Sequence, residues 1–352
     1  MENKIKLAFV GVGGIFDMHI SVAMKNPAVE VYAFCDIDEK KLREKGERHS
    51  ISRLFTDYTE MLKLEEIDGV VVCTWNKVHA PISIAALKAG KHVFCEKPMA
   101  INAKEAQEML DAAKESQRQL YVGFVRRCGA DCLAVRSFVE TGYLGTPYYA
   151  KAKYIRRNGY PGGWFGIKEL SGGGPLIDLG VHVIDLIRYV TGNPKPISVY
   201  AMVSNKLGML DGIAKGNMHT AQTELQQKSD VEDFATAMIR FDNGMVLNVE
   251  TSFTLNGEDS TEVSIYGDKG GLLLEPQMKL YSVMNGYCVT TVPNPEAKFD
   301  WDKAFYRQMD NFVQAIKGAY STLSIAEDGV TLMKILSGAY ESARIGHEVI
   351  LD

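Results

Sequence analysis

The first 124 residues alternate between two patterns, and that alternation limits the fold more than any other feature of the chain. Near-continuous apolar runs, IKLAFVGV, VEVYAFCD, DGVVVCTW, KHVFCEKP and QLYVGF, have the Val, Ile and Phe content of strands buried on both faces. Helical patterns at 38–49, 80–89 and 103–117 separate them. Such strand–helix alternation predicts a doubly wound parallel sheet, an α/β domain over residues 1–124. It stops near Phe124.

Residues 125–352 read differently. A helical pattern at about 130–141 leads into the strand TPYYAKAKYIRR, a loop rich in Gly and aromatics (NGYPGGWFGIKELSGGG) and a further helix. From 197 to about 283 the pattern is all strand, with a hairpin signal at Asp242, Asn243 and Gly244. Helical patterns at about 301–318 and 325–346 close the chain. This part predicts an α+β domain with a large, mainly antiparallel open sheet. Two domains also suit 352 residues, which exceed one ordinary core.

Composition excludes several partners. A net charge of −5 lacks the basic excess of a nucleic-acid surface. No run of about 18 apolar residues marks a membrane span, and MENKIKLAFVGVGG lacks a leader layout, so a cytoplasmic protein is expected. Cys35, Cys73, Cys95, Cys128, Cys132 and Cys288 form no C-x-x-C pair and read as buried reduced thiols.

Three stretches carry chemistry. GVGGIFDMH (11–19) follows the first strand and opens a helix. Gly11 permits the tight turn and Gly13 lets backbone N–H groups approach a pyrophosphate at the helix N-terminus. The third glycine position of G-x-G-x-x-G is Phe16, which implies a displaced helix or a ring turned aside. Asp36 ends the second strand twenty residues later, where a carboxylate holds ribose hydroxyls and repels a 2′-phosphate, favouring NAD over NADP. Its alternative role is to cap the helix that begins near Asp38. The second stretch comprises two strand ends, TWNKVH with Thr74, Trp75, Asn76 and His79, and EKP with Glu96, Lys97 and Pro98. The third is GGGPLIDLGVHVIDL (172–186), which aligns Asp178, His182 and Asp185 on one helix face among apolar neighbours. Burying such groups costs several kcal/mol unless each is paired. A satisfied core histidine, a dipole-stabilised aspartate and an acid/base site all remain open; no metal is expected, because Lys97 would compete with a cation.

With these motifs in order, the sequence resembles the Gfo/Idh/MocA oxidoreductases, named for glucose–fructose oxidoreductase, inositol dehydrogenase and a rhizopine-catabolism protein. The resemblance covers nearly the whole chain and includes DID at 36–38 and AEDGVTLMKILSGAYESARIGHEV near the C-terminus. Phe16 departs from the family pattern, as does Trp75, where the family often has Pro. The resemblance implies a Rossmann domain holding NAD through Gly11, Gly13, Gly14, Ile15, Phe16, Asp36, Thr74, Trp75, Asn76, His79, Glu96 and Lys97. It makes Lys97, Asp178 and His182 the catalytic group, set against the nicotinamide between the domains, with Asp185 supporting.

The expected reaction moves a hydride between NAD and a secondary hydroxyl of a polyol, sugar or glycoside. Redox-assisted glycoside cleavage and a silent NAD-binding regulator are the alternatives. Lys97, Arg156, Tyr160, Trp164, Asp178 and His182 are expected to meet the substrate, the loop also offering Arg157, Phe165 and Lys168; an interface loop is the other reading of that segment. Met245, Leu247, Val249 and Phe253 alternate with Val246, Asn248, Glu250 and Ser252. Helices can cover only one sheet face, which leaves the other for a subunit interface, and the resemblance implies a homodimer or homotetramer through it.

Overall fold

Buried β-branched and aromatic runs pair side by side in the computed structural model, which describes residues 4–208, 229–295, 297–319 and 325–351. The chain divides into two compact units, 1–128 with 301–330, and 129–300 with 331–352. Relative to the 124/125 boundary read from sequence, residues 301–330 group with the first unit.

In the first unit, β1 (Ile5–Val10), β2 (Val29–Cys35), β3 (Leu54–Phe55), β4 (Gly69–Val72), β5 (His92–Cys95) and β6 (Leu120–Val122) form one parallel sheet in the order β3-β2-β1-β4-β5-β6. Helices α1 (Gly14–Lys25), α2 (Glu39–His49), α3 (Tyr58–Met61), α4 (His79–Lys88) and α5 (Ala103–Ser116) connect them. Strand order reverses between β1 and β4, the switch point where such sheets bind ligands at their carboxyl ends. The two-residue β3 and one-turn α3 were too short to leave a periodic signal. Asp38 and Asn102 cap α2 and α5 by accepting from the Lys41 and Glu105 N–H groups, at 3.1 and 2.9 Å.

Phe16 turns into this core. It is 0% exposed and meets Phe9 and Phe34 edge-to-face, with ring centroids 5.7 and 5.1 Å away. The ring is therefore turned aside, and α1 packs through an aromatic cluster where a third glycine would allow close helix–strand contact.

The second unit carries α6 (Ala130–Glu140), β7 (Pro147–Ile155), α7 (Lys168–Ser171), α8 (Val181–Val190), β8 (Pro196–Ser204), β9 (Phe234–Phe241), β10 (Val246–Ser252), β11 (Ser260–Gly267), β12 (Gly271–Glu275), β13 (Lys279–Met284) and β14 (Tyr287–Thr291). Among the described residues, these strands and β15 (Val349–Ile350) make a nine-stranded sheet, β14-β13-β12-β11-β7-β10-β9-β8-β15. Only the β7–β10 pair is parallel. The expectation of strand from 197 to about 283 is met in β8 to β13; its part at 209–228 lies outside the described residues. The strands β14 and β15 were not anticipated. Asn243 accepts from the Met245 N–H within the β9–β10 hairpin, at 3.1 Å.

Two helices close the chain, α9 (Trp301–Ile316) and α10 (Ala326–Ile345). The sequence reading placed α9 in the second domain, but its apolar face belongs to the first unit. Phe305 meets His19 at 5.1 Å and Phe312 meets Phe94 at 5.7 Å, while Asp310 accepts from Asn26 at 3.0 Å.

On β10, Leu247 and Val249 are buried and Val246, Asn248 and Glu250 are half-buried, as the alternation requires. Ser252 breaks it: it is buried, and its hydroxyl donates to the Arg156 carbonyl at 2.8 Å. Five cysteines are buried, whereas Cys288 on β14 is exposed, against the expectation of uniformly buried thiols. One described helical stretch, Lys168–Val190, has the length and composition of a membrane span, but 83% of its most apolar window is buried inside the protein, as in a core helix.

Restoring the family glycine by Phe16→Gly is expected to destabilise the chain by about 3–5 kcal/mol, because a fully packed ring is lost without replacement. Urea unfolding monitored by circular dichroism measures this; an unchanged midpoint would contradict the packing role.

Candidate active site

The first unit supplies a cradle at the carboxyl end of β1. Gly11 has φ +89°, and a Cβ there would lie 2.7 Å from the Cys73 carbonyl oxygen and 2.9 Å from Thr74 Cγ2. Only glycine fits so close to the end of β4. Gly13 is the N-cap of α1, no side chain caps that helix, and the space beside Gly13 is open. The first N–H groups of α1, from Gly14 onward, are thus left to an anion, with the helix dipole favouring negative charge.

Asp36 holds this turn. Its Oδ2 accepts from the Val12 N–H at 2.7 Å and its Oδ1 from the Asp38 N–H at 2.9 Å. Asp38, not Asp36, caps α2, so the alternative capping role falls away. Thr74 Oγ1 is enclosed with no hydrogen-bond partner among the described residues. A glycine cradle, an uncapped helix start, a carboxylate at the end of β2 and an orphaned hydroxyl together fit a dinucleotide.

His79 is placed differently from the expectation that it lines the cofactor. It is 1% exposed, and its Nδ1 and Nε2 face the carbonyls of Pro98, at 2.8 Å, and Thr74, at 3.1 Å. Burial pushes its imidazole below the ordinary value, against those two carbonyls. It braces the β4 and β5 ends. Asn76 is also buried, in the turn Asn76–Val78 that Trp75 opens. Phe16, as its ring packing requires, offers a cofactor only its backbone.

Glu96 is likewise a brace. Its Oε1 lies 2.6 Å from His19 Nε2, and its Oε2 accepts from the backbone N–H of Lys97 at 3.0 Å. Burial alone would raise its pKa; the hydrogen bond and charge of His19, and then Lys97, outweigh this and hold the carboxyl below its ordinary value. Gly123 completes the fit, since a Cβ there would come within 3.0 Å of Oε1. Between Val93 and Ala100, Lys97 alone is not buried. The Lys97–Pro98 peptide is cis.

The second unit holds Asp178 and His182. A π-turn, Leu176–Gly180, runs directly into α8, the kind of insertion often found at functional sites. From Gly174 to Val190, every residue is buried except Asp178 and His182, which are half-exposed. Burial separates Asp185 from them: it is 1% exposed and Arg188 is 2% exposed. Among the described residues, no three His, Cys, Asp or Glu side chains are grouped to hold a metal.

The helix start rests on a residue that motif reading missed. Glu232 accepts from the N–H groups of Gly174 and Leu176, at 2.9 and 3.2 Å, and from the Tyr340 hydroxyl at 2.8 Å. Burial pushes Glu232 above the ordinary carboxylate value, opposed by the Gly174 N–H, Tyr340 and other local donors. Glu232 stands just before β9 and Tyr340 lies on α10, so no local pattern joins them. His19, by contrast, closes the quoted GVGGIFDMH stretch.

The aromatic loop is partly self-packed. Arg156 donates to the Gly159 carbonyl at 3.3 Å and to the Tyr154 hydroxyl at 3.4 Å. Tyr160 sets its ring on Phe253 and its hydroxyl against Gly166, where a Cβ would collide. Trp164 stacks on Phe165 with centroids 3.9 Å apart, and both are half-exposed.

Replacing Asp36 by Arg is expected to reverse cofactor preference from NAD toward NADP and to loosen the 11–14 turn, since the Val12 N–H loses its acceptor. Fluorescence titration with both dinucleotides checks this; retained NAD selectivity would reject the ribose contact.

Comparison with known proteins gives the family. Residues 5–124 match the family description "Oxidoreductase family, NAD-binding Rossmann fold", and residues 132–273 match "GFO/IDH/MocA C-terminal domain". The chain is 34% identical to D-glucoside 3-dehydrogenase of Escherichia coli (strain K12), over 99% of this chain and 98% of that protein. It is 25% identical to myo-inositol 2-dehydrogenase of Thermotoga maritima, over 77% and 75%. The solved structure of levoglucosan dehydrogenase in complex with NADH superposes with a TM-score of 0.84 at 22% identity, covering 99% of this chain and 100% of that one. The protein belongs to the Gfo/Idh/MocA family of oxidoreductases, and residues 5–124 are that family's NAD-binding Rossmann domain.

Proposed function

We propose that this oxidoreductase moves a hydride between NAD and a secondary ring hydroxyl of a D-glucoside or a closely related sugar or polyol. The observation that carries the reading is the selective exposure of three ionisable residues in otherwise buried segments: Lys97 after β5, and Asp178 and His182 along the π-turn and α8. The relative named D-glucoside 3-dehydrogenase, matched end to end, supports the substrate class. The inositol and levoglucosan relatives keep the wider polyol and anhydrosugar class in view.

NAD, held by the Gly11–Gly14 turn and Asp36, supplies the hydride acceptor or donor. The chain supplies the rest. His182 takes the proton of the reacting hydroxyl in oxidation and returns it in reduction. Lys97 stabilises the alkoxide charge as it develops, and the Glu96 carboxylate fixes the backbone from which the ammonium projects. Asp178 accepts a hydrogen bond from a substrate hydroxyl and tunes its two partners. The stacked Trp164 and Phe165 offer a flat apolar face for a sugar ring, with Arg156 and Tyr160 shaping the loop behind it.

Self-association through the outer sheet face belongs to this reading. Tyr200, Met202 and Met238 are about half exposed there, with Tyr200 opposite Met238 in register. Such a patch suits a dimer or tetramer interface, and cytoplasmic location agrees with the substrate class. Light scattering is expected to give a multiple of the chain mass, reduced by Met238→Glu; a monomer at micromolar concentration would refute it.

NADH absorbance during incubation with NAD and a panel of glucosides, inositols and anhydrosugars tests the reaction. Turnover of at least one is expected, with His182→Ala and Lys97→Ala each losing about 10²–10⁴-fold in rate while NAD binding persists. Glycoside cleavage without net NADH would point to the redox-assisted hydrolytic alternative. Tight NAD binding with no turnover on any panel member would favour a regulator.

A further inference from the structure

The glycines that open the helix bearing Asp178 and His182 have a shared cause. A Cβ on Gly174 would collide with the Glu232 backbone carbonyl oxygen and lie 3.1 Å from its carboxyl carbon, and one on Gly173 would collide with the Tyr340 hydroxyl. Gly172, at φ +84°, ends α7 in the left-handed region. The chain is thus glycine at the points where the Glu232 main chain and the buried Tyr340 phenol press against its backbone.

What these two groups do there follows from their bonds. Glu232 is 7% exposed, and one oxygen accepts the Gly174 N–H while the other accepts the Leu176 N–H and the Tyr340 hydroxyl. Gly174 in turn presents its carbonyl to the Asp178 N–H at 3.0 Å. Gly174 is thus held by Glu232 on its N–H and holds Asp178 through its carbonyl. One turn beyond Asp178 stands His182. A negative charge at a helix start is favoured by the dipole, and three donors replace much of the hydration that burial removed.

We propose that Glu232, oriented by Tyr340, is a positioning residue that sets the placement of Asp178 and His182 by anchoring the backbone from which they project. The proposal rests on the acid/base reading of those two residues. Glu232 touches no substrate; it acts through the helix. Its replacement by Gln puts an amide N–H₂ where an N–H donor expects an acceptor, so the helix start shifts without a change in side-chain volume. Displacements of about 1 Å at reacting groups lower rates by about 10²-fold.

The test is a double-mutant cycle read as NADH formation from methyl D-glucoside, with myo-inositol as second probe. Glu232→Gln alone is expected to lower kcat by about 10–100-fold, with KM and NAD affinity little changed. Tyr340→Phe keeps the ring over Gly173 and should lose less, about threefold to tenfold. In a His182→Ala background, Glu232→Gln should cost little more, because the group it positions is already gone. Losses that multiply in the double variant would overturn the proposal and leave Glu232 a stability residue. Unchanged kcat in both Glu232→Gln and Tyr340→Phe would overturn it equally. If Glu232→Gln fails to fold, Tyr340→Phe in the same cycle carries the test. Full turnover by His182→Ala would overturn this inference together with the reading beneath it, which separates the two failures.

Discussion

A carboxylate removed from water must find donors, and two such carboxylates order the segments that carry the proposed catalytic residues. Glu96 accepts the backbone N–H of Lys97 itself, with His19 on its other oxygen. Glu232 accepts two N–H groups at the start of the helix that bears Asp178 and His182. The donors fix the carboxylates, and the carboxylates fix the backbone. An unpaired carboxylate in either place would cost several kcal/mol, so each segment is held to one conformation by the cost of letting go. Neither acidic group needs to meet a substrate to matter.

Rigid backbone of this kind explains where the charged side chains can act. Lys97, Asp178 and His182 each leave a buried segment at a single point, which leaves them within reach of a ligand while their neighbours stay in the core. The cofactor side follows the same economy of contacts. Gly11 lies against the end of β4, Asp36 holds the turn through the Val12 N–H, and α1 begins without a side-chain cap. Preorganised donors and an open helix start are what a pyrophosphate requires.

Much of this was legible in the sequence because its signals were local. Parallel strands appeared as continuous apolar runs, the Gly-rich turn followed β1 at once, and four-residue spacing put Asp178 and His182 on one face. The misses were long-range. Glu232 and Tyr340 lie 58 and well over 100 residues from the helix start they support, and neither stands in a periodic pattern that names its partner. The grouping of α9 with the first unit depends on Phe305 and Phe312 finding His19 and Phe94, which an amphipathic pattern cannot specify. His79 was read as a cofactor contact because it ends a ligand-side strand; its burial between two carbonyls came from tertiary packing alone. Phe16 shows the reverse case, since the departure was visible in sequence and the aromatic cluster of Phe9 and Phe34 supplied its reason.

In the proposed reaction one ammonium and one imidazole serve the same hydroxyl. A crystal structure with NADH and methyl D-glucoside bound tests this most directly. Lys97 Nζ and His182 Nε2 should both lie about 3 Å from one ring hydroxyl oxygen, with that carbon facing the nicotinamide. A bound sugar that leaves either group without contact to the reacting hydroxyl would contradict the assignment.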